Sequence, residues 1–434
     1  MSRAPIPKPP YRVLVLAGGT EIGLEIRRSL RDLKEVRLVG AGSADDRHGP
    51  FAYRTWELVR PVQEDGWLEE LCDVIDRHRV DFVFAGHDDV LLALAEHADS
   101  IPACVVTSPA RTCRVARSKR ATYELLGDAL PVPRTFAHAD EVDSFPVFVK
   151  PDRSHGSRGA VEVRDRDELL RCVAAGSDLI MELLPGEEVT VDCFSDRERG
   201  LLFARARPRL RTRAGISMSS CTAGTDEPLV RVYAEAITSR LALHGAWFFQ
   251  LRRDRDGVPR LLEVAPRVAG TSAVHRVTGI NFALLSIYEA LRVPLQVATN
   301  AVSVQLDRAL VNRYRHDLSF SAVYVDLDDT LIVDGAVNVR LVAFLYQCLN
   351  EGRRLVLLTR HRGDLAGTLR RMRLHGLWDE VVQLAEHERK SDAIREADAL
   401  LIDDSFSERR AAAQALGIAT FDASMLELLL DDRV

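Results

Sequence analysis

Short apolar runs rich in β-branched residues alternate with longer amphipathic segments at both ends of the chain. The apolar runs occupy residues 12–17, 36–40, 81–85 and 103–107 near the amino terminus, and 322–325, 354–358, 380–384 and 399–402 near the carboxyl terminus. Strand-like runs separated by helical patterns are typical of βαβ units, which build parallel sheets covered by helices. The pattern therefore predicts an α/β domain with a parallel sheet at each end.

The middle of the chain has a less regular pattern. From residue 116 to about residue 310, strand and helix signals mix and are interrupted by many Gly and Pro residues, which is typical of an α+β region. A polar and charged run, RALVNRYRHD, then precedes the apolar strand SAVYVD. We predict three domains, at residues 1–115, 116–310 and 321–434, with a linker at 311–320.

The composition excludes several classes of function. A formal net charge of -6 argues against a nucleic-acid partner, because such proteins carry an excess of basic residues. The seven cysteines include no CxxC pair, so neither a disulfide framework nor a zinc site is indicated; their positions within apolar runs predict core residues. No apolar run approaches the roughly 20 residues of a membrane span. We expect a soluble, cytoplasmic protein without a membrane partner.

The sequence DLDDTL follows an apolar strand and carries two carboxylates at alternate positions, Asp326 and Asp328. Open α/β sheets bind ligands at the carboxyl ends of their strands. One carboxylate can attack phosphorus as a nucleophile, while the other exchanges a proton with the leaving group. Because such carboxylates repel one another, the cluster also implies a bound Mg²⁺.

Polar side chains also lie at or shortly after later strands. Thr359 ends the run LVLLT, Lys390 precedes a helix, and Asp403 and Asp404 end LLIDD. A hydroxyl and an ammonium group can hold the oxygens of a phosphoryl group, and further carboxylates can complete a metal site. Together with DLDDTL, these motifs resemble in order those of the haloacid dehalogenase superfamily, over residues 321–434.

This resemblance implies a Rossmann-like domain that transfers a phosphoryl group through an aspartyl phosphate on Asp326, with Asp328 as the acid and base. The Mg²⁺ ligands that it implies are Asp326, Asp328, Asp403 and Asp404. The gaps between Asp326, Thr359 and Lys390 each hold only one helix and one strand, which leaves no room for an inserted cap domain. Either the substrate is large, or the rest of the chain serves as the lid.

A glycine loop lies between a strand and a helix in LVLAGGTEIGLEI. The amides at a helix start favour anions. However, GGTEIG lacks the GxGxxG spacing of a dinucleotide site, and no clear acidic partner for a ribose follows it. We therefore predict a tight turn here.

Four further segments, SKRATYELL, VFVKPDRSHGSRGA, MELLPGEEVTVDCF and WFFQLRRDRDGVPRLLEVAPRVAG, follow one another along the chain. In this order they resemble the landmarks of ATP-grasp enzymes of the carbamoyl-phosphate-synthase-like and carboxylate–amine ligase kind. The resemblance covers residues 12–295 and includes the smaller α/β domain that such enzymes carry in front. It implies ATP and Mg²⁺ as cofactors.

The resemblance also implies roles for individual residues around the nucleotide. The two lysines would meet the phosphates, the loop 154–159 would fold over them, residues 182–184 would form the hinge at the adenine, and Glu188 would take the ribose hydroxyls. The residues concerned are Lys119, Lys150, Ser157, Arg158, Gly159, Glu182, Leu184 and Glu188.

The end of the fourth segment carries the metal positions of the family. Gln250 and Glu263 match the metal ligands, and Arg267 would neutralise charge on an acyl phosphate. The sequence departs here from the usual ExNPR motif, because Ala265 replaces the Asn and has no donor atom for a metal. This departure puts the second magnesium position, and with it catalysis by the domain, in question.

Five arginines recur at every second position, which would place them on one face of a strand: Arg205, Arg207, Arg209, Arg211 and Arg213. Guanidinium groups suit carboxylates and phosphates. A solvated edge strand, with Pro208 inside it, explains the stripe equally well.

The residues His87, Asp88 and Asp89 follow the strand DFVFAG and open a helical segment. They lie where a substrate could be contacted. We favour an N-cap role for one of the aspartates.

Two hypotheses about function follow. The first is a bifunctional enzyme, in which an ATP-grasp ligase joins a small carboxylate to an amine and a phosphatase domain acts on a phosphorylated metabolite. The second is a phosphatase whose degenerate ATP-grasp half only binds a nucleotide or substrate, which Ala265 favours. A homodimer is possible, because ATP-grasp relatives are often dimers.

Overall fold

Residues 7–153, 159–173, 178–222 and 227–433 are described by a computed structural model. The chain divides into two units, residues 1–310 and 311–433. The predicted border at residue 115 falls inside a helix of the first unit, and the predicted linker at 311–320 groups with the second unit. None of the helices in the described segments is both long enough and apolar enough to span a bilayer.

The first unit begins with a parallel sheet, as predicted. Its strands are ordered β3-β2-β1-β4-β5, and every neighbouring pair is parallel. The strands are β1 (Tyr11–Leu16), β2 (Val36–Gly42), β3 (Trp56–Leu58), β4 (Phe82–Ala85) and β5 (Cys104–Val105). The helices are α1 (Glu21–Leu30), α2 (Gly49–Ala52), α3 (Trp67–His78) and α4 (Asp88–Glu96).

Both faces of this sheet are covered, because alternate residues of β1 enter different cores. Val13 and Val15 pack with Ile26 and Leu30 of α1. Leu14 and Leu16 lie in the core that includes α3 and α4. Burial on both faces explains why the strands read as continuous apolar runs in the sequence.

A second, antiparallel sheet follows, with the order β6-β9-β7-β8. Its elements, and the two helices before it, are α5 (Ala110–Arg117), α6 (Lys119–Leu126), β6 (Thr135–Phe136), β7 (Val147–Pro151), β8 (Val161–Val163), α7 (Arg166–Val173) and β9 (Asp178–Glu182). Ser118 caps α6 by accepting a hydrogen bond from the Ala121 amide.

The rest of the first unit contains an antiparallel sheet of order β11-β10-β14-β15 and a smaller sheet of order β12-β13-β16. The elements are β10 (Glu188–Asp196), β11 (Gly200–Pro208), β12 (Arg211–Arg213), β13 (Ile216–Cys221), α8 (Glu227–Arg240), β14 (Gly245–Arg253), β15 (Pro259–Ala265), α9 (Ala273–Arg276), α10 (Phe282–Ala290) and β16 (Gln305–Asp307).

The arginine stripe is not one strand. Strand β11 ends at Pro208 and β12 begins at Arg211. Arg207 is buried and pairs with Asp192, with 2.7 Å between Nε and Oδ2, so a solvated strand is the wrong interpretation at that position. Arg211 pairs with Asp307 on the surface.

The cysteines are all free. Cys113, Cys193 and Cys348 are buried, three others are half-buried, and Cys104 is exposed. The prediction that the cysteines are core residues is therefore wrong for Cys104, which lies in the short edge strand β5.

The second unit holds another parallel sheet, as predicted, with the order β21-β20-β17-β22-β23. Its strands are β17 (Ala322–Val325), β18 (Ile332–Val333), β19 (Ala336–Val337), β20 (Arg354–Thr359), β21 (Glu380–Gln383), β22 (Leu400–Ile402) and β23 (Ala419–Phe421). Its helices are α11 (Val339–Asn350), α12 (Leu365–Arg371), α13 (Lys390–Ala393), α14 (Phe406–Leu416) and α15 (Leu426–Leu429).

The central strand β17 is buried on both faces. Val323 and Val325 pack in one core, and Ala322 and Tyr324 pack in another on the opposite face. Its parallel neighbours are β20 and β22, so the carboxyl ends of all three strands meet at one edge. Between β17 and α11 the structure has only the short hairpin β18–β19, and no cap domain interrupts residues 311–433.

Candidate active sites

A cavity in the first unit gathers most of the residues predicted at a nucleotide. The predicted residues that line it are Lys119, Lys150, Glu182, Leu184, Glu188, Gln250 and Glu263. They come from α6, both antiparallel sheets and the β9–β10 connection. Gly159 is exposed in a left-handed conformation, and its neighbour Ala160 lines the cavity. Ser157 and Arg158 lie outside the described residues.

Two buried lysines face this cavity. The Lys119 ammonium donates to the Asp152 carbonyl at 3.1 Å, and the Lys150 ammonium donates to the Tyr123 hydroxyl at 3.3 Å. Burial and the charge of Lys119 lower the pKa of Lys150 to about 8, and burial also lowers the pKa of Lys119. Two cations held together away from water favour an anionic ligand between them.

The predicted metal positions are neighbours on two strands. Gln250 of β14 is directly opposite Glu263 of β15. Two residues away on each strand, Phe248 lies opposite Ala265. Ala265 is buried and offers only a methyl group. Glu263 and Gln250 would thus hold a cation only together with oxygens of a bound ligand, which is how Mg²⁺ commonly binds beside phosphates.

Two arginines also line the cavity: Arg209, a member of the arginine stripe, and Arg252, which the sequence did not indicate. Arg209 pairs with Glu188 and donates to the Gly215 carbonyl, and Arg252 lies 3.9 Å from Glu188. Both line the cavity. The arginine stripe was the sequence feature that pointed to Arg209. The stripe alone could not show which of its members faces a ligand. Glu188 therefore carries an arginine hydrogen bond on one of its two carboxylate oxygens.

Arg267 is held by an aspartate of the amino-terminal sheet. Its Nε and Nη2 atoms lie 2.5 and 2.9 Å from the two Asp88 carboxylate oxygens. Its guanidinium also lies over the ring of Phe248, 5.1 Å from the centroid. Burial alone would raise the pKa of Asp88, but the charge and hydrogen bonds of Arg267 outweigh burial and hold this pKa well below its ordinary range.

The predicted N-cap role of an aspartate at α4 is wrong. The N-cap is His87, whose ring nitrogen accepts a hydrogen bond from the Asp89 amide. Asp88 binds Arg267, and Asp89 binds Arg117 with 2.7 Å between Oδ1 and Nε. Because both partners lie outside helix α4, the local sequence could not reveal them.

The glycine loop before α1 is a tight turn, and an aspartate of the protein binds a backbone amide of this turn. The carboxylate of Asp46 accepts hydrogen bonds from the amides of Gly19, at 2.9 Å, and Gly49. A Cβ atom at Gly19 would lie 1.8 Å from Asp46 Oδ1, so only glycine permits this approach. The position that an anionic ligand would take at a helix start is therefore occupied by a side chain.

In the second unit, the predicted residues meet at the carboxyl edge of the parallel sheet. The Lys390 ammonium lies 2.6 Å from Asp326 Oδ1 and 2.6 Å from Asp403 Oδ2. Thr359 is fully buried at the end of β20. Burial raises the pKa of Asp326 to about 6, although Lys390 opposes this shift.

Three carboxylates at this edge lie close enough together to bind one cation. Asp326, Asp403 and Asp404 each offer an oxygen within 4.8 Å of the others, and no further such group was found among the residues that the structure describes. Thr330 accepts from the Asp404 amide, and Arg409 donates to the Asp403 and Asp404 carbonyls at 2.7 Å. These bonds fix the loop after β22.

Asp328 was predicted as a metal ligand, but it lies apart from that group of three. It is exposed, and both of its oxygens lie 3.0 Å from Nδ1 of His361. His361 was missed by the sequence analysis; its only signal was its position two residues after Thr359. Asp328 is therefore paired with His361 and is not part of the group of three carboxylates.

A comparison with protein families found one match. The model of a family described as an ATP-grasp in the biosynthetic pathway with Ter operon matches residues 177–312. A comparison with curated proteins gave no match.

Solved structures with a similar fold cover about two thirds of the chain. They include the biotin carboxylase β-γ-ATP complex from Campylobacter jejuni (TM-score 0.55, 15% identity, 65% of this chain and 71% of that one). L-amino acid ligase from Bacillus licheniformis has a TM-score of 0.52 and 20% identity, over 67% of this chain and 76% of that one. N5-carboxyaminoimidazole synthetase from Staphylococcus aureus, complexed with ADP, has a TM-score of 0.54 and 14% identity, over 68% of this chain and 80% of that one. Residues 177–312 thus match an ATP-grasp family model, within a mixed α/β fold that solved structures share.

The bonds of the two aspartates at the start of α4 lead to a prediction about stability. We expect Asp88→Ala to lower the free energy of unfolding by about 3 kcal/mol, because it leaves the Arg267 charge buried without its partner. Asp89→Ala should cost about 1 kcal/mol, because Asp89 is more exposed to water. Chemical denaturation followed by tryptophan fluorescence measures both values. Equal losses in the two variants would contradict this assignment.

Proposed function

We propose that the first unit is an ATP-dependent carboxylate–amine ligase that works through an acyl phosphate. The observation that carries this proposal is the single cavity in which Lys119, Lys150, Glu188, Gln250 and Glu263 come together. These residues are far apart in the sequence and match the nucleotide and metal positions of ATP-grasp enzymes. The similarity to an L-amino acid ligase and to proteins solved with ADP or an ATP analogue supports the proposal.

In this proposal ATP and Mg²⁺ are the cofactors. The adenine lies at the hinge formed by Glu182 and Leu184, and Glu188 accepts hydrogen bonds from the ribose. Lys119 and Lys150 hold the phosphates as point charges. Mg²⁺, when bound by Glu263, Gln250 and phosphate oxygens, neutralises the charge that develops on the transferred group.

The reaction then has two steps. An oxygen of the substrate carboxylate attacks the γ-phosphorus, the bond from that phosphorus to the bridging oxygen breaks, and ADP leaves. The nitrogen of an amine next attacks the carbonyl carbon, a C–N bond forms, the C–O bond to the phosphoryl group breaks, and phosphate leaves with a proton from the amine. Arg267 binds the anionic oxygens during both steps.

The first prediction from this proposal concerns ADP release. Full-length protein with Mg²⁺, ATP, a pool of small carboxylic acids and a pool of primary amines should release ADP only when both pools are present. Glu263→Gln should lower the rate about 100-fold or more, because it removes the charged metal ligand. Glu187→Gln, at a nearby exposed glutamate, is the matched control and should retain the rate. ADP release that needs neither pool would contradict a ligase.

The lysine pair leads to a prediction about pH. The free protein loses the Lys150 proton as pH rises through about 8, whereas a bound triphosphate keeps that proton on. ATP binding should therefore weaken by up to about tenfold for each pH unit above 8, because one proton is taken up on binding. Fluorescence titration between pH 6.5 and 9.5 measures this effect. Lys150→Arg, which stays charged, should bind ATP with a flatter pH dependence; an equal slope in both proteins would rule out Lys150 as the titrating group.

We further propose that the second unit is a phosphatase of the haloacid dehalogenase type. Asp326 attacks the phosphorus of a monoester, the ester P–O bond breaks, and the leaving alcohol takes a proton from Asp328. Water then attacks the aspartyl phosphate, Asp328 takes a proton from the water, and phosphate leaves. Thr359 and Lys390 bind the phosphoryl oxygens, while Mg²⁺ held by Asp326, Asp403 and Asp404 offsets their charge.

Hydrolysis of para-nitrophenyl phosphate by the full-length protein tests this second activity. Asp326→Asn should lower the rate by at least about 1,000-fold, because the nucleophile is lost. Asp329→Asn is the matched control: this residue is exposed, lies outside the carboxylate group and has a positive φ that Asn tolerates. Chelation of Mg²⁺ should abolish the rate in wild-type protein, and re-addition should restore it. Hydrolysis that survives Asp326→Asn would contradict the proposal.

A second candidate function for the first unit is a binding module without ligase activity. Ala265 favours it, because its methyl group packs with Phe248 and Ala269 where the family has a metal ligand. In that case ATP would bind, no combination of carboxylate and amine would release ADP, and phosphatase activity would remain. The ADP-release experiment therefore separates the two functions.

A further inference from the structure

The carboxylate of Asp328, in the second unit, is held by one imidazole. Both of its oxygens lie 3.0 Å from Nδ1 of His361, on the loop that follows β20. Among the residues that the structure describes, no other side chain bonds to this carboxylate. The Asp328 side chain is 52% exposed and that of His361 only 19%. The carboxylate is therefore open to a ligand on one side and held by the protein on the other.

The backbone on both sides of the imidazole is fixed as well. The His361 amide donates to the Thr359 hydroxyl at 3.1 Å, and the His361 carbonyl accepts from the Gln383 side chain at 2.7 Å. The preceding residue, Arg360, donates to Glu408 in the first turn of α14 at 2.9 Å. Three contacts thus hold the loop that carries His361.

The segment 359–361 links two parts of the proposed phosphatase site. In the proposed reaction Thr359 binds the phosphoryl oxygens, and Asp328 gives a proton to the leaving group. The Thr359 hydroxyl accepts from the His361 amide, which leaves its own hydrogen for a phosphoryl oxygen. Two residues later, the imidazole reaches the acid. His361 therefore fixes Asp328 relative to the strand end that contacts the phosphoryl group.

The pair of Asp328 and His361 matters more for geometry than for stability. Exposed ion pairs contribute little to the free energy of unfolding. A carboxyl group that is half open to water turns between several rotamers unless a partner holds it, and only some of these face a leaving oxygen. Holding a reacting group in one orientation is a large source of rate enhancement.

We propose that His361 is a positioning residue, which holds the carboxyl group of Asp328 in the orientation that delivers its proton to the leaving oxygen. This inference rests on the proposed phosphatase function. As the ester P–O bond breaks, the proton moves from one Asp328 oxygen to the leaving oxygen, while Nδ1–H of His361 donates to the other Asp328 oxygen. In the second step Asp328 recovers a proton from the attacking water. The imidazole itself neither gains nor loses a proton.

The test compares two esters that differ in their need for this proton. Para-nitrophenol leaves readily as an anion, whereas benzyl alcohol must be protonated as it leaves. Phosphate release from para-nitrophenyl phosphate and from benzyl phosphate is measured with the full-length protein and Mg²⁺. His361→Ala should lower kcat/KM about tenfold or more for benzyl phosphate but stay within about twofold of wild type for para-nitrophenyl phosphate. His375→Ala, at an exposed histidine after α12, is the matched control and should change neither value.

Three further variants separate positioning from a loss of packing. His361→Asn places an amide nitrogen where Nδ1 lies, so it should keep benzyl phosphate hydrolysis within about threefold of wild type. His361→Gln places its amide nitrogen where Nε2 lies and should lose as much as His361→Ala. Adding His361→Ala to Asp328→Asn should cause no further loss, because the acid is already absent.

Equal losses with the two esters in His361→Ala and His361→Gln would overturn the inference and leave the phosphatase function standing. A further loss in the double variant would have the same meaning. So would wild-type activity toward para-nitrophenyl phosphate alone, because no proton delivery would then need positioning. If the wild-type protein hydrolyses neither ester, the phosphatase function fails, and the inference fails with it.

Discussion

The ion pair between Asp88 and Arg267 joins two parts of the first unit that are distant in sequence. Asp88 begins the helix after β4, and Arg267 follows β15, which carries Glu263. Both groups are largely removed from water, where an uncompensated charge would be strongly destabilising. The pair therefore fixes the end of β15 against the amino-terminal sheet. It also places a guanidinium in the wall of a small cavity that Lys119 and Glu263 line as well.

The candidate site of the second unit has an excess of negative charge, in contrast to the buried lysines of the first unit. Here the carboxylates are in excess, and a single ammonium group, Lys390, lies between Asp326 and Asp403. Even with this partner the pKa of Asp326 is raised to about 6, because burial and the neighbouring Asp403 both disfavour its charged form. Burial and the neighbouring carboxylates therefore make a further cation at this edge favourable. The cavity of the first unit is lined by two buried lysines, whereas the edge of the second sheet gathers carboxylates.

The sequence predicted both parallel sheets because their buried strands are continuous apolar runs. Strand β3 was missed, since its residues WEL are only partly buried and lack that signal. The residues predicted in the second unit lie together because they follow parallel strands, whose carboxyl ends share one edge. Those of the first unit were predicted from the order of motifs and lie mainly on antiparallel sheets. Their partners could not be predicted: Asp88 and Arg267 are 179 residues apart, and Asp46 meets Gly19 across 27 residues. Which acid meets which donor depends on the packing of distant elements, and a pattern such as the arginine stripe carries no information on that.

The contact between Ala265 and Phe248 has a consequence for how this domain can change. The two side chains are opposite each other on β15 and β14 and share a small apolar cluster with Ala269, below the guanidinium of Arg267. An amide placed at position 265 would have to displace the aromatic ring, and the ring in turn supports Arg267. A coordinating side chain at position 265 would therefore require further substitutions around Phe248 and Arg267. Position 265 is thus fixed as an apolar contact by its neighbours and not by its own side chain alone.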